Sequence, residues 1–298
     1  MQPGFSLPSY AKINWNLRIL GKRGDGFHEI CTVFQTISLH DTLHFMANDE
    51  LFLTCDDPDI PTDERNLITE AANKLNEKFG TNFGTRIHLE KRIPSPGGLG
   101  GGSSNAAVTL IGLMRLWELE IAPSDLQSIA EQLGSDVPFF LRGGTALGTG
   151  RGEQIETLDD REEDFVLLLT PDVAVQTTRA FSDLRELNLT NEALNRILRV
   201  CRLEARLLDS RHSVLINDFE RTIFSAFPEI RRVKETLLEL GATQALMSGS
   251  GASVFAIFDK QETRQAALKA LDLEITWRKF AVAAISRDEY REKVYSRL

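Results

Sequence analysis

Polar and apolar positions alternate over residues 11–19, AKINWNLRI, with Ile13, Trp15, Leu17 and Ile19 on one face and Lys12, Asn14, Asn16 and Arg18 on the other. A period of two predicts a half-buried strand. The Gly-rich, charged stretch GKRGDGFHE then reads as a loop. Strand-like runs follow at Thr32–Ser38, Asp41–Phe45 and Leu51–Thr54, ahead of the loop DDPDIPTDE. Leu67, Ala71, Leu75 and Phe79 recur every fourth residue and predict a helix ended by Gly80. Thr85–Glu90 alternates again. From Asn105 to Leu119 apolar side chains lie almost all round, which predicts a buried helix. Ser124 and Gln127 fit a capping box for a third helix that stops at Gly134. The glycine-rich stretch 135–153 reads as turns.

The acidic stretch LDDREED, 158–164, predicts a domain junction. Beyond it a strand is expected at Phe165–Thr170 and helices at Asn191–Leu208 and Ile230–Leu240. Strands Ala245–Met247 and Ser253–Phe258 bracket the turn SGSGA. A helix at 261–271 and a final strand at 279–285 complete the chain. This is a split β-α-β order, the pattern of an α+β sandwich. With 298 residues, about 150 per domain gives two domains, expected at 1–157 and 158–298. The final strand is a candidate to return to the first.

Charge narrows the function. The 34 Lys+Arg against 43 Asp+Glu leave a net −9, so nucleic acid is excluded as a partner, and any phosphate must be held by a local device. Cys31, Cys55 and Cys201 lie far apart with no CxxC pair, so they read as buried or indifferent thiols rather than a zinc or disulfide framework. His40, His44, His88 and His212 show no metal spacing. No apolar run approaches the roughly 20 residues that span a bilayer. The opening residues lack a basic stretch followed by an apolar one, so no signal peptide and a cytoplasmic location are expected.

The local device is PSPGGLGGGSSNAA, 94–107. Five glycines within six residues, 97–102, stand directly before the buried helix. Glycine lets backbone N–H groups turn inward, and the first helical N–H groups have no internal partner. Together they make an anion cradle. No lysine follows the glycines, so this is not a Walker loop, and Gly98-Leu-Gly-Gly-Gly-Ser fits a dinucleotide fingerprint poorly.

The loop, together with AKINWNL, RGDGFHE, GSDVPFF and the late SGSGASVFAIF in that order, resembles the GHMP kinases. Within that family the likeness is to members that phosphorylate a cytidine diphosphate-linked alcohol on the non-mevalonate route to isoprenoid precursors. The resemblance implies a two-domain α+β fold, with an N-terminal domain like domain 2 of ribosomal protein S5 and a ferredoxin-like C-terminal domain. It implies ATP as co-substrate, Mg²⁺, and a small-molecule cytidine diphosphate substrate. Mevalonate-, homoserine- or sugar-type kinases, and a non-catalytic nucleotide-binding protein, are the alternatives.

The same resemblance distributes roles. Asp136 is the expected general base and Lys12 the active-site lysine. Alone, Asp136 reads as a helix N-cap and Lys12 as a solvated strand lysine. ATP is expected on Pro94, Ser95, Pro96, Gly97, Gly98, Leu99, Gly100, Gly101, Gly102, Ser103 and Ser104, with Asn66 at the adenine. Either Ser103 or Ser104 is a candidate for Mg²⁺. The substrate falls to Asn14, Phe27, His28, Thr177, Phe181, Gly249, Ser250 and Gly251. Phe27 and Phe181 would clamp the cytosine, although core packing or a capped turn also explains Phe27, His28, Thr177 and Phe181. Phe27 stands where the family usually has Tyr. Trp15 replaces a usual leucine, Pro96 stiffens the loop, and Ser135 stands where a small residue or cysteine is common.

Overall fold

The computed structural model describes residues 4–175 and 191–295. Strands β1 (Phe5–Lys22), β2 (His28–Ala47), β3 (Leu51–Cys55), β4 (Thr85–Glu90), β5 (Thr145–Gly150) and β6 (Gln154–Thr157) form one sheet. Its path is β3-β4-β2-β5-β6, with β1 antiparallel along β2 and only β3–β4 parallel. Helices α1 (Leu67–Phe79), α2 (Gly101–Leu116), α3 (Pro123–Leu133) and the short α4 (Val137–Phe140) cover one face of it.

After a connector, β7 (Val166–Pro171), α5 (Asn191–Leu207), α6 (Glu220–Ala226), α7 (Pro228–Glu239), β8 (Gln244–Met247), β9 (Val254–Ile257), α8 (Gln261–Ala270), β10 (Trp277–Val282) and α9 (Arg287–Tyr295) follow. The second sheet runs β10-β7-β9-β8, all antiparallel, which is the ferredoxin-like order. One core lies between the first sheet and α1–α3. Another lies between the two sheets, where Ile13, Trp15, Val33 and Leu147 meet Val166, Leu168 and Phe255. A third lies under α6–α8.

Several expectations change. The two runs at 32–38 and 41–45 are one strand, β2. It stays continuous because a register shift at Tyr10/Ala11 absorbs the irregularity between them. Around its middle, strand β1 is buried on both faces, with Lys12 and Asn14 buried alongside Ile13. A second shift between Asn14 and Asn16 lets Trp15 bulge. Beyond it Leu17 and Ile19 join the third core instead of the one that holds Ile13 and Trp15.

The capping box at Ser124 is absent. Pro123 opens α3, its N-cap is Ala122 with no side-chain cap, and Gln127 donates to Glu131 Oε1 at 2.9 Å. Proline's fixed φ starts that helix without a cap. The stretch 135–153 holds α4 and the inner strand β5 rather than turns alone. Gly148 there makes room for a ring, since a Cβ would lie 2.4 Å from Phe34 Cε2.

The connector is pinned rather than loose. Glu163 is buried against Arg211 at 3.0 Å, and Asp160 accepts from the backbone of Thr145 and Arg287. The last strand, β10, stays in the second sheet. Only the residues after it return, as Ala284 pairs with Ile37 and α9 buries Tyr290 against α4. Of the cysteines, Cys31 and Cys201 are buried and Cys55 is half-buried, all as free thiols. The Cys201 hydrogen bond and burial push the Cys31 thiol up, away from the reactive thiolate.

Candidate active site

The glycine loop is strung between three anchors. The first is Asp41, wholly buried, which accepts the backbone N–H groups of Arg92 at 2.7 Å and Ile93 at 2.8 Å. Asp41 also pairs with Lys91 Nζ at 3.0 Å and accepts from Asn105 Nδ2 at 3.1 Å, so the start of the loop and the start of α2 share one carboxylate. The second is β1, where Lys12 N–H donates to Leu99 O at 3.0 Å. The third is the turn between β8 and β9. There Ser248 Oγ donates to Gly98 O at 3.0 Å and Ser253 N–H to Gly97 O at 3.2 Å.

Only glycine fits this course at two points. Gly98 and Gly100 have φ of 71° and 68°. A Cβ would lie 2.2 Å from Ser248 O at the first and 2.9 Å from Phe140 Cζ at the second. Gly100 is the N-cap of α2 and supplies no side chain, so the first N–H groups of that helix are left to an anion.

A cavity of about 410 Å³ opens over the loop, and Lys12 and Asp136 stand on its wall. Lys12 Nζ lies 3.4 Å from Asp136 Oδ2 and donates to Asn14 Oδ1 at 2.8 Å. Asn14 donates on to Thr32 Oγ1, and Thr32 to Asn16 O, both at 2.7 Å. The chain of bonds holds the ammonium on the cavity side of β1. Asp136 does occupy the N-cap position of α4, yet its side chain makes no capping bond and stays with the lysine. A buried ammonium beside a half-exposed carboxylate can take and stabilise a proton or developing negative charge.

The other candidates separate by position. Residues 94–103 line the cavity, with Asn14, Gly249 and Ser250 opposite; Gly251 follows the lining. Ser103 is among the residues that line the cavity. Ser104 is wholly buried, and its Oγ accepts from Ser9 Oγ at 2.8 Å. Asn66 caps α1, accepting from Ile68 N–H at 3.0 Å and donating to Pro61 O at 2.7 Å, while Leu67 reaches the cavity. Phe27 sits at the tip of the β1–β2 loop, half its surface exposed, and His28 opens β2 beside it. Burial opposes the Arg23 charge in that loop, but hydrogen bonds to Glu29 and Asp25 outweigh it and hold the guanidinium pKa above its ordinary value. Thr177 and Phe181 lie outside the described residues.

Sequence reasoning missed Phe219 and Arg151 in the lining, along with Asn217 behind it. Asn217 Nδ2 donates to Met247 O and Gly249 O at 2.7 and 2.8 Å and so fixes the 248–250 turn. Nothing in LINDF marks it by periodicity or glycine. Among the described residues no group of three or more His, Cys, Asp or Glu side chains is gathered that could hold a metal, and no helix is long and apolar enough to cross a membrane.

The fold and the loop define a class of phosphotransferase, the GHMP kinases. The model described as "GHMP kinases N terminal domain" matches residues 66–144, and "GHMP kinases C terminal" matches 190–274. Solved kinases of this kind share the scaffold at low identity. A Methanococcus jannaschii mevalonate kinase superposes with a TM-score of 0.70 at 13% identity, over 96% of this chain and 99% of that one.

At higher identity the relatives are of one kind, and the chain belongs to the 4-diphosphocytidyl-2-C-methyl-D-erythritol kinases. It is 41% identical to a protein of that name from Chlorobium phaeobacteroides over 261 residues, 86% of this chain and 89% of the relative. The Solibacter usitatus protein of that name is 39% identical over 292 residues, covering 96% and 90%. A crystal structure titled 4-(cytidine 5'-diphospho)-2C-methyl-D-erythritol kinase gives a TM-score of 0.76 at 31% identity, over 94% of this chain and 99% of that one.

Proposed function

We propose that the protein transfers the γ-phosphoryl group of ATP to the 2-hydroxyl of 4-diphosphocytidyl-2-C-methyl-D-erythritol, in non-mevalonate isoprenoid precursor synthesis. The observation that carries this is the Lys12–Asp136 pair, 3.4 Å apart at the mouth of the glycine loop. The segment 1–157 holds the nucleotide on its loop, and 158–298 brings the Ser248–Ser253 turn over it.

Each part follows from its chemistry. The loop N–H groups and the start of α2 take the phosphates, which an acidic chain cannot attract by its overall field. Asp136 accepts the proton of the attacking hydroxyl. Lys12, oriented by Asn14, favours the ionised oxygen and steadies charge on the moving group. Phosphoryl transfer asks mainly for such positioning and charge stabilisation. Phe27 offers its exposed ring to the cytosine, with His28 at the base edge.

Mg²⁺ bound to ATP keeps several waters and needs few protein ligands. The lining fits that demand with the Ser103 hydroxyl, and the ion would supply charge neutralisation of the phosphates. Incubation with ATP and each acceptor in turn, with ADP release followed, tests the assignment. Turnover of the diphosphocytidyl substrate is expected. Turnover of mevalonate or homoserine in its place would reject it, and ATP binding with no turnover of any acceptor would point to a non-catalytic protein.

A further inference from the structure

The turn between β5 and β6 carries a cation that the phosphoryl-transfer chemistry leaves unused. Arg151 lines the same cavity as Lys12 and Asp136. Among the described residues its guanidinium makes neither an ion pair nor a hydrogen bond; its backbone N–H alone is engaged, by Glu153 at 2.5 Å. The guanidinium lies instead on the ring of Phe27, with Cζ 4.7 Å from the ring centroid. Stacking on a ring occupies the face of the guanidinium and leaves its N–H donors free around the edge.

The surroundings hold Arg151 in that place. Glu29 accepts the Gly150 N–H at 2.9 Å through one carboxylate oxygen and Arg23 at 2.8 Å through the other. Arg23 also bonds Asp25, which accepts the Phe27 N–H at 3.1 Å. One network therefore ties the Phe27 loop to the turn that bears Arg151. On the other side the same turn abuts the reactive carboxylate, since a Cβ at Gly152 would lie 3.7 Å from Asp136 Oδ1. Arg151 thus stands between an exposed aromatic platform and the Lys12–Asp136 pair.

A cytidine diphosphate ester has the same order: base, ribose, diphosphate, then the alcohol that reacts. With the base on Phe27 and the hydroxyl at Asp136, the diphosphate spans the interval that Arg151 faces. Asp136 does not compete for the guanidinium, because Lys12 pairs with it. We propose that Arg151 binds the diphosphate of the acceptor substrate, and so makes the site select a nucleoside diphosphate over the bare nucleoside. This rests on the substrate and the Phe27 role proposed above. In-plane N–H donation to phosphate oxygens is the strong, charge-assisted kind.

Calorimetric titration of the whole protein with CDP and with cytidine tests this, alongside the KM for ATP. Arg151→Met keeps the stem against Phe27 and removes the charge. It is expected to weaken CDP binding about tenfold or more, as the loss of a charged hydrogen bond does, with cytidine binding and the ATP KM unchanged. Arg151→Lys, which keeps the charge, should recover part of the CDP affinity. Equal losses for CDP and cytidine would mean that Arg151 only props the ring, and would overturn the proposal. A loss confined to ATP would move the guanidinium to the co-substrate and overturn it as well, as would no loss at all. Failure of the unsubstituted protein to bind CDP or turn over the substrate would instead reject the function itself, before any variant is made.

Discussion

At the scale of single residues the site turns on a buried charge. Lys12 is 3% exposed, and a charge so buried is tolerated only when it is paired and hydrogen-bonded. Asp136 is the partner, and Asn14 Oδ1 accepts one of the three N–H groups. Asp136→Asn keeps an oxygen for Lys12 to donate to but removes the proton acceptor. The expected outcome is a folded protein with ATP affinity retained and kcat lower by at least ~100-fold, read by ADP release and nucleotide titration. Near-wild-type turnover would exclude Asp136 as the base. Motif matching singled out Lys12 and Asp136, but not how buried the lysine is, because alternation along β1 describes one strand and not what covers it. Asn66, expected at the adenine, also has a structural role that is legible in the chain. An Asn directly before the first periodic residue of a helix is the ordinary N-cap signature, and capping uses both ends of its amide.

Among the elements, the glycine loop owes its shape to what lies around it. Asp41, the backbone of Lys12 and the Ser248–Ser253 turn each hold one part of its course. Gly98 is the tightest point, with its positive φ and Ser248 O 2.2 Å from where a Cβ would stand. The left-handed conformation alone costs a residue with a Cβ about 1–2 kcal/mol, and the contact adds to that. In Gly98→Ala the loop should draw away from the turn and the ATP KM should rise about tenfold or more, with circular dichroism unchanged. An unaltered KM would mean that the loop does not hold the nucleotide. Regular elements with a clear period, α1 with its Gly80 cap and α2 with its apolar girth, were readable in the chain. The inner strand β5 was not. Its glycines look like turn residues, and only the facing Phe34 ring explains Gly148. The single extra residue at Trp15 that turns β1 likewise leaves no mark in a period of two.

For the whole molecule, the two sheets that divide the chain also share its middle core. Trp15 from β1 is wholly buried, meets Phe255 of β9 edge-on at 5.2 Å between centroids, and donates to Gln35 Oε1 at 3.3 Å. Around it, residues of both sheets and of α5 form one continuous cluster. Segment 216–218 adds a backbone seam, with Leu17 donating to Ile216 O at 2.8 Å and accepting from Asp218 N–H at 3.0 Å. Separate unfolding of either half would expose its side of that cluster to water. The two halves should therefore unfold in one cooperative transition, and Trp15→Ala should lower its midpoint through a loss of ~3–5 kcal/mol, read by scanning calorimetry and denaturant titration. Two resolved transitions in the unsubstituted protein would refute the shared core. The same cohesion bears on catalysis. Lys12 and the glycine loop come from one side of the middle core and the Ser248–Ser253 turn from the other, so a core that lets the sheets shift loosens the site without touching any residue in it. In Trp15→Ala, ATP affinity should fall at temperatures well below the unfolding midpoint.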